Sequence, residues 1–571
     1  MLEIVMLLEV HFAYSYHKLL ILHITLCKYK IFLEKFNLLK IIYVRIDYPQ
    51  YDTFRCKIQI VYKTSPTSPA LYWLTREQTT DSRHPFLLSN NKLIYARSWF
   101  PCQDTPSVKF EYSAKIFVQK NFRVLMSALL QRIYDAGPEL DIHEFHQNKS
   151  VSSYAVIIAV GSLLEIKLDA RINIFAERNL IFSEGSSRFV KNILKLRRSA
   201  QKLLNAAESL CGPYLWGRIL TRFFAISLIK FIHITNFAFV NNQFLSFVYS
   251  NYYFFYYTFK IVSLGIYDIC VLPPSIAHFE IECPCVTFIS PTLLGGDDCY
   301  MSPLARNISQ SWAGNLVTCS NYEHLWLNKS LSIFTYRKIG CIMYLNYEEM
   351  NEFFQREDLR NLSMQIKNFE NRGLLKCLIP NLTGMSPHKA TKYVPYEWGC
   401  KLLHHLESIL GGSAEFEKFL KYYFRSFAYR SINTIDWINC LYQYFPHKKR
   451  ILDCVEWYLW LFNITSPFIV PRESILEIHC FRLALDWEPE NSDIIVNNRN
   501  FQLIANEFCD VERIIFLIYH TFKTNLTKEE LRSMTPIFAF NIRNVEIRLN
   551  DRRQHRFIVM HDDNFCWRIK K

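Results

Sequence analysis

The spacing of apolar residues changes near residue 180 of this chain, and that change constrains what it can fold into. Up to about residue 180, apolar side chains fall on every second position. CKIQIVYKT (56–64), VKFEYSAKIFVQ (108–119) and SYAVIIAVGSLLEI (153–166) all do so, which is the period of a strand with one buried face. Turn residues separate them at Ser65-Pro66, Gly137-Pro138 and Asn148. From about Ser187 the apolar residues recur every three or four positions. RFVKNILKLRRSAQKLLNAAESLCG (188–212) reads as an amphipathic helix ending at Gly212, with Pro213 beyond it. Sheet followed by helix, over 571 residues, reads as a multidomain α/β chain.

Further along, YDICVLPP (267–274) reads as a buried strand. Residues 316–340 and 396–431 read as amphipathic helices, the second with Gly breaks, and NTIDWINCLYQYF (433–445) as a helix capped by Asn433 or Thr434. No internal repeat of fixed period occurs. The expected layout is a truncated N-terminal β domain over 52–180, a second domain over 181–470 and a truncated helical domain over 471–571.

Two stretches break the pattern. Residues 219–266 hold no Asp or Glu, consist mainly of Phe, Tyr, Ile, Asn and Leu, and keep neither period. Lys230, His233, Asn241, Asn242 and Gln243 interrupt them too often for a comfortable membrane helix. Residues 1–51 are similarly atypical. Their residue types are those of A/T-rich codons, so both stretches read as non-native, gene-model sequence, translated from non-coding DNA. The other reading of 219–266 is an insertion that binds a membrane or a partner. The N-terminus has neither the basic start and cleavage site of a signal peptide nor an unbroken apolar run, since Glu9, His11, His17 and Lys18 interrupt it.

The net charge of +14 is diffuse, and no Lys/Arg block forms a nucleic-acid arm. Seventeen cysteines lack the paired spacing of a zinc ribbon or a disulfide framework, which fits reduced, cytosolic thiols. No Walker or G-x-G-x-x-G loop is present.

Many separate strings, in order, carry a resemblance. They are PALYWLTREQT (69–79), FPCQDTPSVKFEYSA (100–114), CGPYLWG (211–217), YDICVLPPS (267–275), CPCVTFISPTLLGGD (283–297), ISQSWAGNLVT (308–318), HLWLN (324–328), YVPYEWG (393–399) and FAFNIRNVEIR (538–548). The chain resembles the zinc aminopeptidase (gluzincin) family, in the branch that includes leukotriene A(4) hydrolase. The resemblance covers roughly 52–218 and 267–550. It implies an N-terminal β saddle, a thermolysin-like catalytic domain and a C-terminal α-helical repeat (armadillo-like) domain. It also implies a cytoplasmic monomer. CGPYLWG and YDICVLPPS are almost adjacent in the family, so 219–266 interrupts a continuous element.

In that family an H-E-x-x-H helix and a later Glu hold zinc. Two His at i and i+4 share a helical face and reach one ion, and the Glu between them is the general base. The matching segment here is LARNISQSWAGN (304–315). Arg306 and Gln310 stand at the two His positions, Asn307 at the base, and Lys329, 19 residues after Gln310, at the third ligand. Arg has no lone pair to offer, Lys must first lose a proton, and the amides are weak neutral ligands. At about 4 Å and an effective dielectric near 20, two like unit charges repel by about 4 kcal/mol, and a dication doubles that. The resemblance matches Glu282 to the Glu that binds the substrate amino terminus, Lys92 to a Gln that helps anchor that amine, and Tyr396 to the oxyanion-stabilising Tyr. Glu282 and Tyr396 then read as leftovers satisfied by Arg306 or Lys329.

The expected protein is a leukotriene A(4) hydrolase/aminopeptidase-like pseudoenzyme without zinc or other cofactor. Its cationic pocket of Arg306, Lys329 and Lys92 would bind a peptide or another anionic ligand. The competing expectations are an active zinc metalloaminopeptidase/epoxide hydrolase, and a chain that does not work as a protein. The metal-like string HEFH (143–146) reads as surface histidines of a β-hairpin. His404 and His405 are helical neighbours pointing apart, and Glu280 and Glu282 alternate as solvent-facing strand residues would.

Overall fold

A computed structural model describes residues 5–11, 19–23, 41–45, 60, 62–91, 93–167, 171–182, 186–219, 263–276, 281–291, 302–343, 377–390 and 394–463. The expectations for Lys92, for Glu280, for residues 471–571 and for most of 219–266 lie outside these residues.

The alternating segments are strands. Lys109–Gln119 alternates half-buried and buried side chains over nearly its whole length, as the period requires. It pairs antiparallel with Leu140–Ser152 on one edge and with Val5–His11 on the other, and Leu129–Asp135 completes the sheet. Val5–His11 belongs to the atypical first 51 residues, and its backbone keeps register from Val5↔Phe117 to His11↔Glu111. A second sheet runs Leu71–Leu74, Phe86–Ser89, Ile158–Gly161, Arg123–Met126. Gly161 is required there, because a Cβ would stand 2.4 Å from the Phe86 ring.

The third sheet, Leu163–Lys167, Asn173–Glu177, Asp268–Val271, Val286–Ile289, crosses the expected boundary at residue 180. Its first pair is antiparallel and the other two are parallel. Val286–Ile289 is buried throughout, as befits a parallel strand covered on both faces.

The atypical segment leaves and re-enters the fold at one place. Gly217–Ile219 pairs antiparallel with Ser263–Gly265, in register Gly217↔Gly265 to Ile219↔Ser263. A two-residue turn fits between directly paired residues. Replacing 220–262 by Asn-Gly is therefore expected to leave a cooperatively melting protein whose Tm is raised by about 2 °C, the equivalent at 571 residues of the roughly 3 kcal/mol of loop-closure entropy returned. Thermal denaturation checks this, and loss of the cooperative transition would show that the segment belongs to the core.

The helix Ser186–Cys211 ends as expected, with Gly212 at φ +92°. Its Ile193, Leu196, Leu203, Leu204 and Leu210 are buried. The helix expected over 316–340 is shorter. Residues 316–325 form a loop, a strand Thr318–Cys319 beside Ser431–Ile432, and a 3-10 turn Tyr322–His324. Asn321 caps that turn. The helix proper, Trp326–Met343, is buried on all sides to Gly340 except at Lys338. It is central rather than amphipathic, because Ser186–Cys211, Ser302–Gln310 and Gly399–Ile409 all pack on it. Gly411 and Gly412, both at positive φ, separate Gly399–Ile409 from Ser413–Ser426. Asn433 caps Thr434–Tyr444 through a capping box with Asp436.

Candidate functional site

Trp326–Met343, Ser186–Cys211 and Val286–Ile289 pack on the motif helix Ser302–Gln310. Arg306 and Gln310 lie one turn apart on its inward face, 8% and 2% exposed, and Asn307 is half-buried. Lys329, 7% exposed, enters from the first turn of Trp326–Met343. Glu282 precedes the strand Val286–Ile289, and Tyr396 sits in a π turn, Val394–Trp398, that leads into Gly399–Ile409.

The Lys329 ammonium makes an ion pair with Glu282 Oε1, and both side chains are largely buried. The Tyr396 ring takes two cations. Its centroid is 5.4 Å from Lys329 Nζ and 5.5 Å from the Arg306 guanidinium carbon, within cation–π range. Two cations and one carboxylate leave these four residues with a formal charge of +1. Glu282 is thus not the solvent-facing strand residue that its alternation with Glu280 suggested.

Bonds between neighbouring elements hold this arrangement. Ser309 Oγ donates to the Arg306 carbonyl and shares a 2.8 Å hydrogen bond with Ser332 Oγ. Ser330 Oγ donates to the Pro395 carbonyl at 2.6 Å. Gly399 packs against Ser330 so closely that a Cβ would fall 2.0 Å from its Oγ. Arg337 clasps Glu397 through both carboxylate oxygens, at 3.0 and 3.2 Å, and its Nη1 also points at Cys400 Sγ. This pair is buried and lies one residue from Tyr396. The sequence reading missed it.

The turn after the motif helix is tied to the N-terminal sheets. Tyr154 Oη donates to the Gly314 carbonyl at 2.6 Å, and Lys109 Nζ donates to the carbonyls of Asn315 and Leu316, both at 2.9 Å. Burial pushes Lys109 down to about 7. From there to its unfolded value near 10.5, the unfolded chain holds a proton that the folded chain has lost, so stability rises with pH. Between pH 7 and 8.5 the Lys109 contribution to the slope is at most about 1.4 kcal/mol per pH unit, set against the opposite contribution of the buried thiols, which ionise near 8.5 in the unfolded chain. Lys109→Met should abolish it, as urea denaturation at the two pH values would show.

The metal-like decoys resolve plainly. His143 is buried rather than on the surface, and burial, then the nearby Arg123, holds its ring down to about 4. His146 bonds Ser113. His404 faces Glu407 and Phe334, whereas His405 stacks on Trp460. Cys283 and Cys285 are buried free thiols.

The residues at the motif positions do not fit zinc. Arg306 offers no lone pair, the Lys329 amine is engaged as a cation with Glu282, and only an amide oxygen of Gln310 remains. Among the described residues, no group of three or more His, Cys, Asp or Glu could hold a metal. No described helix is long and apolar enough to cross a membrane.

Comparison with known proteins gives two family matches. The Peptidase family M1 domain matches residues 240–458, and the Peptidase M1 N-terminal domain matches residues 31–155. Both matches begin inside the two atypical stretches. Leukotriene A-4 hydrolase of Xenopus laevis is 34% identical over 435 residues, covering 75% of this chain and 61% of that protein. Leucine aminopeptidase 2 of Saccharomyces cerevisiae is 30% identical over 441 residues, covering 76% and 55%. The chain therefore spans only about half to three-fifths of the length of these relatives. The structure of yeast LTA4 hydrolase in complex with bestatin superposes with a TM-score of 0.63 at 27% identity, covering 85% of this chain and 70% of that one.

Proposed function

The chain belongs to the peptidase M1 family, in the branch of the leukotriene A-4 hydrolases and leucine aminopeptidases, and on that premise we propose that it is a non-catalytic member, without zinc and without peptidase activity. One observation carries the reading. The third ligand position holds an ammonium, Lys329, salt-bridged to Glu282, and the first holds a guanidinium, Arg306, against the same tyrosine ring. With Asn307 at the base position, no side chain there can take a proton from water at neutral pH.

The proposed role is binding. Arg306 beside Tyr396 offers a bidentate fork suited to a carboxylate or another anion, such as that of an acidic peptide. Following the family, the protein is proposed to be a cytoplasmic monomer, with an armadillo-like helical repeat over 471–571. The test is metal content together with turnover of aminoacyl substrates by the purified native chain. Less than a tenth of an equivalent of zinc and no turnover above a heat-denatured control are expected. One equivalent of zinc with peptide cleavage would overturn the reading in favour of an active metalloaminopeptidase.

A further inference from the structure

We propose that the exposed face formed by Ser413–Ser426, the turn Pro446–Lys448 and the short helix Lys449–Asp453 is a docking surface for an acidic polypeptide segment, one that carries several Asp or Glu beside an aromatic or apolar residue. None of the pocket residues described above lies on these elements, so the inference goes beyond the reading of the pocket.

The three elements make one surface. Lys418, Tyr422 and Arg425 follow at helical spacing along Ser413–Ser426, with Lys421 beside them. The Tyr422 ring lies 5.0 Å from that of Tyr444, which ends the helix Thr434–Tyr444 just before the turn. Lys448 reaches back over the start of Ser413–Ser426, where a Cβ on Gly411 would stand 3.1 Å from its Nζ. Lys421, Arg425, Lys449 and Arg450 are exposed, and Lys448 is half-buried.

The charges on this surface are out of balance. Residues 413–453 contain seven Lys or Arg against four Asp or Glu, and each of the four acids already has a partner. Glu417 accepts from Ser413 Oγ at 2.8 Å and pairs with Lys338 of the central helix at 3.2 Å. Glu415 pairs with Lys418 at 2.7 Å. Asp436 is held in the capping box, and Asp453 accepts from Tyr442 Oη at 3.0 Å. Lys421, Arg425, Lys448, Lys449 and Arg450 make no ion pair with any described carboxylate. Tyr422 and Ile451, 40% and 41% exposed, add apolar contact among these cations. Complementary charge steers a carboxylate-rich segment to such a face, and an apolar side chain of the partner gains contact there.

A polypeptide suits the face better than nucleic acid or a lipid surface. The Tyr444 ring already packs against Tyr422, Phe419 and Phe445, so it offers no open face to a base. Tyr422 and Ile451 keep more than half of their surface covered, whereas residues that anchor a protein on a bilayer sink into the lipid.

The test uses the full chain and a fluorescein-labelled peptide, Glu-Glu-Phe-Glu-Glu-Leu-Glu-Glu, read by fluorescence anisotropy at about 0.15 M salt. Controls are the same peptide with Gln for each Glu, a labelled oligouridylate and phosphatidylserine vesicles. The acidic peptide should bind saturably, and the binding should fade at about 0.5 M salt. Lys421→Glu/Arg425→Glu and Lys449→Glu/Arg450→Glu should each weaken it about tenfold, because exposed attractions are lost and repulsions replace them. All four substitutions together should abolish it. The variants should melt within about 2 °C of wild type, since exposed substitutions disturb a fold little. No saturable binding, equal binding of the Gln peptide, or tighter binding of the oligouridylate or the vesicles overturns the proposal. Charge-reversed variants that bind like wild type place the peptide elsewhere, the Arg306 pocket included. They overturn this inference without touching the reading of that pocket.

Discussion

A chain carrying Arg306→His, Asn307→Glu, Gln310→His and Lys329→Glu together is expected to bind one zinc ion, whereas the native chain binds none. Positions 306 and 310 lie one turn apart on the buried face of one helix, and position 329 opens the helix packed against it. Imidazoles and a carboxylate at these three places restore three donors of the type that zinc takes, and leave a fourth position open. The change also reverses the local charge. With Glu282, the set moves from +1 to −3, so the metal-free variant should melt below the native chain. Zinc should then return more than it would to a neutral site. At a hundredfold excess over Kd, binding stabilises the fold by about 2.7 kcal/mol, which at 571 residues is a rise of about 2 °C. Elemental analysis and melts with and without chelator read the result. Any one of the four substitutions alone should bind no zinc, and Lys329→Glu alone should be the least stable, since it sets two carboxylates against each other. A quadruple variant with no zinc would mean that the three positions do not converge as the resemblance implies.

Glu397→Ala is expected to destabilise the protein by about 3–5 kcal/mol, because it removes the carboxylate of a buried ion pair. Both residues are nearly inaccessible, and the pair ties the π turn carrying Tyr396 to the central helix. The bond from Arg337 to Cys400 Sγ remains, which puts the expectation toward the lower end of that range. Substituting both, as Arg337→Met/Glu397→Leu, should recover most of the loss, since an apolar pair of similar size escapes the desolvation of two charges. Urea denaturation measures all three. A loss below about 1 kcal/mol for Glu397→Ala would show that the pair is solvated and does not fix the turn.

How much of this was legible in the sequence depended on how local the cause was. Lys109–Gln119 and the caps at Gly212 and Asn433 follow from a two-residue period, a positive φ and a capping box, all read within a few residues. The changed residues at 306, 307, 310 and 329 were visible because a fixed spacing locates them. Trp326–Met343 was misjudged because a helix packed on all sides has no polar face to set its phase or its start. The sheet crossing residue 180 and the pairs Glu282–Lys329 and Arg337–Glu397 join residues 47 to 95 positions apart, where periodicity carries no information. Lys109 looks like an ordinary strand lysine until the turn at 315–316 is brought against it.

The Gly217↔Gly265 register has a consequence for how this fold tolerates change in length. The entropy lost in closing a loop grows only as the logarithm of its length. Going from a two-residue turn to the 43 residues of 220–262 would cost about 3 kcal/mol even if every added residue were freely flexible chain. The strands that receive both ends keep the same partners whatever lies between them. A reading frame could therefore acquire these residues at this point in one step, and the surrounding domain would feel the change as a modest entropic load rather than as a rearrangement.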